Sequence, residues 1–273
     1  MTATATATGH VTGTATGRAD TTAAGAGRWL PAEGAARRGT LVLLPGRGEH
    51  PGVYQRFGRR LAADGYLVHA LDVAPEAAPA TVAAAFAEIA AQAPAPVVLA
   101  GSDTGALHAL AATGQAGPGP DGLLLAALPL TAAVAPGSWE DELTARTSCP
   151  AHRGLLAADP AFDRGRFATA VPDGLLGSAL AAADAAQAEA QADRRVPVLV
   201  LHGAADPLAP VDEVRRFAAG LPAATLVLVE DGRHDVLNDA THRSVAAQVV
   251  QWLERLRGGP DLPRVLTVEE PPR

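Results

Sequence analysis

Between Pro96 and Thr113 the chain reads P-V-V-L-A-G-S-D-T-G-A-L-H-A-L-A-A-T. An apolar run, Val97 to Ala100, meets Gly101 and Gly105, and an Ala/Leu-rich segment follows. That order predicts strand, sharp turn and helix. The spacing is that of the nucleophile elbow, G-x-nucleophile-x-G, in which a strained turn lifts the central side chain clear of a sheet and the glycines let the helix pack close beneath it. The central residue here is Asp103, where such elbows usually carry serine.

The same letters, Asp103-Thr104-Gly105, also spell the D-T-G of aspartic proteases, whose two carboxylates share one proton. That chemistry needs a second such carboxylate on an all-β scaffold. No second D-T-G occurs, and the residues after Asp103 read as helix.

A chain of 273 residues is long enough for one large α/β domain with a substantial core. The net charge of −7, without a basic stripe, excludes nucleic acid as an expected partner. All 22 basic residues are arginine, so Schiff-base chemistry and a lysine-bearing phosphate loop are excluded. The one cysteine, Cys149, has no partner for an internal disulfide. No dinucleotide fingerprint or metal-ligand cluster is visible, so no cofactor is expected. The absence of an 18-residue apolar run and of a signal-peptide layout leads to the expectation of a cytoplasmic protein without an integral membrane segment. Oligomeric state is not legible.

Residues 1–27 are nearly all Thr, Ala and Gly, which suits either edge strands or a disordered tail. Alternation favours strands from about residue 8. Expected parallel strands then fall at 40–45, 66–71, 96–101, 122–128, 196–202 and 224–230, the first continuously apolar as a strand covered on both faces should be. Helices are expected around Tyr54, Phe57 and Leu61, over 75–92, after the elbow, over 211–219, and over a final stripe of Val245, Val249, Trp252, Leu253 and Leu256. Residues 131–193 break the alternation with a helical segment, most simply a cap over the sheet's carboxyl edge, including a long helix from about Ser178. A mostly parallel, doubly wound α/β sheet follows, with core segments 28–130 and 194–257, the cap at 131–193, and a peripheral tail at 258–273.

Three chemically able residues fall after strands in chain order: Asp103, Asp206 in L-H-G-A-A-D-P, and His234 in G-R-H-D-V-L-N-D. Parallel strands bring such loops to one edge. These segments, together with L-L-P-G-R-G-E-H-P-G-V-Y at 43–54, resemble the α/β-hydrolase superfamily, and within it the lysophospholipase and monoacylglycerol lipase-like branch. The resemblance runs from about Leu41 to Leu256. It implies the α/β-hydrolase fold, an oxyanion hole from the backbone N–H groups of Arg47 and Thr104, and Asp206 orienting His234. The implied function is hydrolysis of a small apolar ester-like substrate by an Asp103-His234-Asp206 constellation.

The chain departs from the branch at three places: Pro45 replaces the usual His, L-D-V-A-P-E replaces a glycine-rich segment, and Asp103 replaces Ser. Ser102 is the neighbouring hydroxyl, and strand alternation puts it on another side of the turn. An aspartate at the elbow also occurs in the similar epoxide hydrolases and haloalkane dehalogenases. Those need a cap tyrosine or a tryptophan beside the nucleophile, whereas the tyrosines here are Tyr54 and Tyr66, and Thr104 follows Asp103. A binding or isomerising protein on the same scaffold is the remaining alternative. Trp139, Arg146, His152 and Arg153 are candidate substrate-lining residues of the cap, against a plain solvated face. Glu49 and His50 are expected to support the oxyanion loop, His202 and His108 to pack, and Cys149 to be a small buried side chain.

Overall fold

The computed structural model describes residues 27–131, 137–190 and 195–267. The strands are β1 (Gly27–Trp29), β2 (Gly39–Leu44), β3 (Tyr66–Ala70), β4 (Val97–Ser102), β5 (Gly122–Ala126), β6 (Val198–Gly203) and β7 (Ala224–Val229). They form one sheet in the order β1-β3-β2-β4-β5-β6-β7. Every pairing is parallel except that of β1 with β3. The helices are α1 (Gln55–Ala63), α2 (Pro79–Ala90), α3 (Thr104–Thr113), α4 (Trp139–Arg146), α5 (Pro150–Ala158), α6 (Asp173–Ala190), α7 (Val211–Gly220) and α8 (His242–Arg257).

Side chains of successive strand residues point to opposite faces, so the fully buried β2 run Leu41-Val42-Leu43-Leu44 feeds two cores at once. Leu41 and Leu43 join Phe57 of α1 and Trp252 of α8, while Val42 and Leu44 join Phe86 of α2 and Leu107 of α3. Covering both faces is what a parallel sheet requires, and the strand order with its one antiparallel edge strand agrees with the expected α/β-hydrolase fold.

Most strand and helix ends lie within one or two residues of the sequence expectation, and three boundaries differ for a visible reason. Helix α2 begins at Pro79 rather than 75, because Pro79 fixes its own φ at the first helical position and pushes Ala78 to extended backbone (φ −66°, ψ 144°). Strand β5 ends at Ala126 rather than 128, because Ala127 turns to positive φ (49°). Helix α6 starts five residues before Ser178. The strands expected within residues 8–26 lie outside the described residues.

The elbow shows why its glycines are glycines. A Cβ on Gly101 would lie 2.1 Å from the backbone of Gly105, and one on Gly105 would lie 2.1 Å from the Leu44 carbonyl oxygen. Between them Asp103 is held at φ 51°, ψ −124°, a backbone state that costs on the order of 1–3 kcal/mol and persists only where the surroundings impose it.

Candidate active site

Asp103 emerges from β4 at the start of α3, Asp206 follows β6, and His234 follows β7, so the parallel strands deliver all three to one edge. His234 Nδ1 lies 2.8 Å from Asp206 Oδ2. Its Nε2 is 3.2 Å from Asp103 Oδ1, a charge contact lying off the line of a hydrogen bond. Asp206 is itself fixed, its Oδ1 accepting the Leu208 N–H at 2.8 Å. The loop carrying His234 docks on the end of α4: the His234 N–H donates to the Ala145 carbonyl and the Asp235 N–H to the Arg146 carbonyl.

A fourth participant was legible only in part. The Arg47 N–H, expected in an oxyanion hole, donates to Asp103 Oδ2 at 2.9 Å. The Arg47 side chain then closes on the same carboxylate, Nε donating to Oδ2 at 2.8 Å and Nη2 to Oδ1 at 2.9 Å. Its remaining arm, Nη1, donates to the Thr169 carbonyl at 3.0 Å. A two-toothed guanidinium fork is among the stronger polar contacts a protein makes. No sequence signal distinguished this side-chain role from the backbone one.

Burial alone would raise the Asp103 carboxyl, but Arg47 and His234 outweigh it and hold it well below the usual carboxylate range. Burial alone would lower the His234 imidazole, but the charges of Asp206 and Asp103 push it up to about 10. Asp206 is lowered in turn by His234. At neutral pH the four groups are therefore two cations and two anions, arranged alternately.

The four residues expected to line a substrate site do not border the cavity beside Arg47. Trp139 packs on Phe162, ring centroids 5.6 Å apart, with the Arg164 guanidinium over its ring. Arg153 pairs with the exposed Glu140. Arg146 and His152 are buried beside the site in a second cluster, because their side chains turn inward to carboxylates from distant loops. Arg146 is 2.9 Å from Glu142, 3.4 Å from Asp235 and 4.0 Å from Glu49, and its Nη2 donates to the Arg47 carbonyl at 2.7 Å. His152 meets Asp235 at 3.1 Å. Glu49, His152 and Asp235 offer ligand atoms within 4.8 Å of one another, but the Arg146 guanidinium already supplies the positive charge there.

Phe167, not anticipated from sequence, sits between the two clusters. Its ring meets His234 edge-on at 5.0 Å, and the Arg47 and Arg146 guanidinium carbons lie 4.9 Å and 3.7 Å from its centroid. The supporting residues behave as small structural parts. Glu49 accepts the Gly46 N–H at 3.0 Å and the Tyr54 hydroxyl, His50 contacts Asp159 at 2.8 Å, and His202 contacts the Ala209 carbonyl at 2.8 Å. Ser102 stays in the ladder opposite Ala126. Among the described residues no helix is long and apolar enough to cross a membrane.

The family described as serine aminopeptidase, S33 matches residues 80–241, which include all three strand-end residues. No curated protein matches the sequence. Among solved structures, a soluble variant of monoglyceride lipase from Saccharomyces cerevisiae is similar at TM-score 0.65 and 18% identity, over 85% of this chain and 91% of that one. The monoacylglycerol lipase of Paleococcus ferrophilus is similar at TM-score 0.66 and 18% identity, over 85% and 98%. The esterase domain of a Rhodothermus marinus protein is similar at TM-score 0.59 and 16% identity, over 84% and 91%.

Proposed function

The chain belongs to the serine aminopeptidase S33 family, on the α/β-hydrolase fold, and on that premise we propose that it hydrolyses a small ester-like substrate through Asp103. His234 donates and then accepts the proton, Asp206 orients it, and Arg47 supplies the electrophilic contact. The observation that carries this reading is the placement of His234, its Nε2 3.2 Å from Asp103 and its Nδ1 2.8 Å from Asp206: two carboxylates favour the imidazolium, which can give a departing alkoxide its proton.

The steps balance. Asp103 Oδ1 attacks the acyl carbon while the Arg47 guanidinium turns from the carboxylate to the substrate carbonyl oxygen. The ester C–O bond breaks, and the His234 Nε2 proton passes to the alkoxide. The mixed anhydride leaves Asp103 uncharged, which removes one of the two anions that raised His234, so the imidazole becomes a base. It takes a proton from water, whose oxygen attacks Asp103 Cγ. The charge that then develops on Oδ2 falls on the Arg47 N–H, already 2.9 Å away, the kind of fixed donor whose removal costs roughly 10² to 10³ in rate. The acyl group leaves as carboxylate, and the proton of the regenerated Asp103 passes to solvent. The glyceride esters in the names of the two lipases fit this bond type. The cytoplasm is the compartment we assign, where a lone thiol such as Cys149 persists reduced.

Attack on the sp³ carbon of an epoxide or haloalkane is the second reading, favoured because Oδ2 already rests where a substrate oxyanion would bind. Against it, the hydroxyls of Tyr54 and Tyr66 are engaged by Glu49 and Glu254 and are not free to assist a leaving group.

Single turnover of an activated short-chain ester in heavy-oxygen water separates these. The proposal expects label on the Asp103 carboxylate, lost in Asp103→Asn. Labelled acid product over an unlabelled Asp103 means that water attacked the acyl carbon, which overturns attack at Asp103 Cγ. Turnover of an epoxide or haloalkane alone establishes the second reading, and a protein inert to all three classes leaves a binding or isomerising role.

A further inference from the structure

Strand β7 closes one side of the sheet and pairs with β6 alone. The Val198 N–H donates to the Ala223 carbonyl and the Ala204 N–H to the Val229 carbonyl, so the odd-numbered residues between them bond to β6. The backbone N–H and C=O groups of Ala224, Leu226 and Leu228 therefore point away from the sheet, and among the described residues none of them has a hydrogen-bond partner. Such a row is a template for another strand, which proteins ordinarily blunt with a charge, a proline, a bulge or a covering segment. The run A-T-L-V-L-V has no charge and no proline, and its register with β6 is unbroken. Leu226 leans on the core under α7 and Val227 on the core under α8, each only partly covered.

We infer that the open edge of β7 is the contact surface for a second copy of this chain, joined antiparallel about a two-fold axis at Leu226. In an antiparallel pair, every other residue exchanges both backbone bonds with the residue directly opposite. An axis at Leu226 sets that residue against itself and Ala224 against Leu228 of the second copy. All the outward N–H and C=O groups of both edges are then satisfied in one register. The charges at the strand ends agree with it. Glu230 and Asp231 are exposed just beyond the strand, while Arg195 and Arg255 line one surface recess with Pro222 to Thr225 at its start, beside a single acid, Asp261. Antiparallel pairing brings the acidic end of each strand to the arginine-bearing end of the other, whereas parallel pairing would set like charges together. The contact consumes the edge on both sides, so association closes at two copies. The segment preceding Gly27 joins the sheet at β1, the opposite edge, which favours a second copy over the chain's own terminus as the occupant. This surface stands whatever the reaction at Asp103.

Sedimentation equilibrium of the whole 27.6 kDa chain should show a dimer in the micromolar range. Leu226→Pro leaves the ladder with β6 intact, because the N–H it removes faces outward, and it takes one bond per copy from the central pair. At roughly tenfold for each good hydrogen bond, the dimer Kd should rise about hundredfold. Arg195→Glu at the exposed strand start should weaken the dimer by about tenfold, as two exposed ion pairs turn repulsive. Adding Glu230→Arg, which exchanges the two charges across the axis, should restore it, with the thermal midpoint of each variant confirming its fold. A monomer throughout overturns the assignment, whether the Ala224, Leu226 and Leu228 amides exchange freely or are protected by another segment of the chain. A dimer as tight in Leu226→Pro or Arg195→Glu as in the wild type overturns it too, as does a charge exchange that restores nothing.

Discussion

Two buried charge clusters lie side by side at the sheet edge, and they solve the same problem differently. Around Asp103, charges pair one to one: Arg47 and His234 answer Asp103 and Asp206. Around Arg146, one guanidinium serves Glu142, Asp235 and Glu49. Glu49 is pushed up by burial and by Asp235, as three carboxyl groups share one guanidinium. The first cluster borders a cavity through Arg47 and carries a proton that can be given away. The second is more deeply buried, with Arg146 1% exposed and, of its members, Glu49 alone at the cavity wall, and it clamps the first by bonding the Arg47 carbonyl and by the adjacency of His234 and Asp235. Buried charge is therefore not by itself a mark of chemistry: in the proposed reaction one cluster changes partners, while the other holds a loop still.

The sharpest break of that comparison is to remove each guanidinium in turn. Arg146→Met leaves its carboxylates without a counter-charge, a change that costs about 3–5 kcal/mol when a buried pair is broken. At roughly 2–4 °C per kcal/mol for chains of this size, the calorimetric midpoint should fall by roughly 10 °C. Arg47→Met should lose less, about 1–3 kcal/mol, since Asp103 keeps the Arg47 N–H and His234. It should instead lower ester turnover by about 10² to 10³. Equal stability losses would erase the distinction, and a rise in turnover would make Arg47 a plug rather than a participant.

A pH series sharpens the same contrast at smaller amplitude. The folded His234 pKa is raised to about 10, above its unfolded value near 6.5. Its contribution is therefore fully present below pH 6.5 and is lost as pH rises through 10. Stability should decline between pH 7 and pH 10 by a few kcal/mol at most, measured as urea midpoints, and His234→Gln should flatten the slope. Arg146 keeps its charge throughout that range, so Arg146→Met should lower the curve without changing its slope. On the acid side the sign reverses for His69, whose pKa is lowered to about 4 mainly by burial, so its contribution is lost from pH 6.5 downward.

These contrasts explain what was legible in the sequence. The parallel strands announced themselves because both faces of each must be apolar, as in Leu41 to Leu44, and the elbow because a Cβ on Gly101 or Gly105 would lie 2.1 Å from neighbouring backbone. The meeting of Asp103, Asp206 and His234 followed from strand ends alone. The Arg47 fork, Phe167 and the Arg146 node did not, since they depend on where a side chain points after long-range folding. In W-E-D-E-L-T-A-R the Glu142–Arg146 spacing reads as an ordinary helix-surface pair, and only contacts with the distant Glu49 and Asp235 turn it inward. Strand β1, three residues long, is defined by its partner β3 rather than by any periodicity of its own.

The smallest expected effect concerns the helix that carries Arg146. Helix α4 begins with a capping box, in which the Ser138 hydroxyl accepts the Asp141 N–H and Asp141 Oδ2 accepts the Ser138 N–H. It ends at Arg146, whose carbonyl accepts the Asp235 N–H. Its start is exposed and its end is buried among charges, so the contrast in burial recurs within eight residues. Ser138→Ala should cost the ~1 kcal/mol typical of a lost N-cap, a shift of roughly 2–4 °C, and should leave ester turnover unchanged, because the buried network rather than the cap fixes Arg146. A loss well beyond that, together with slower turnover, would mean that the Arg146 node depends on the whole helix being wound, and that the Arg146 cluster holds the His234 loop less independently than its contacts imply.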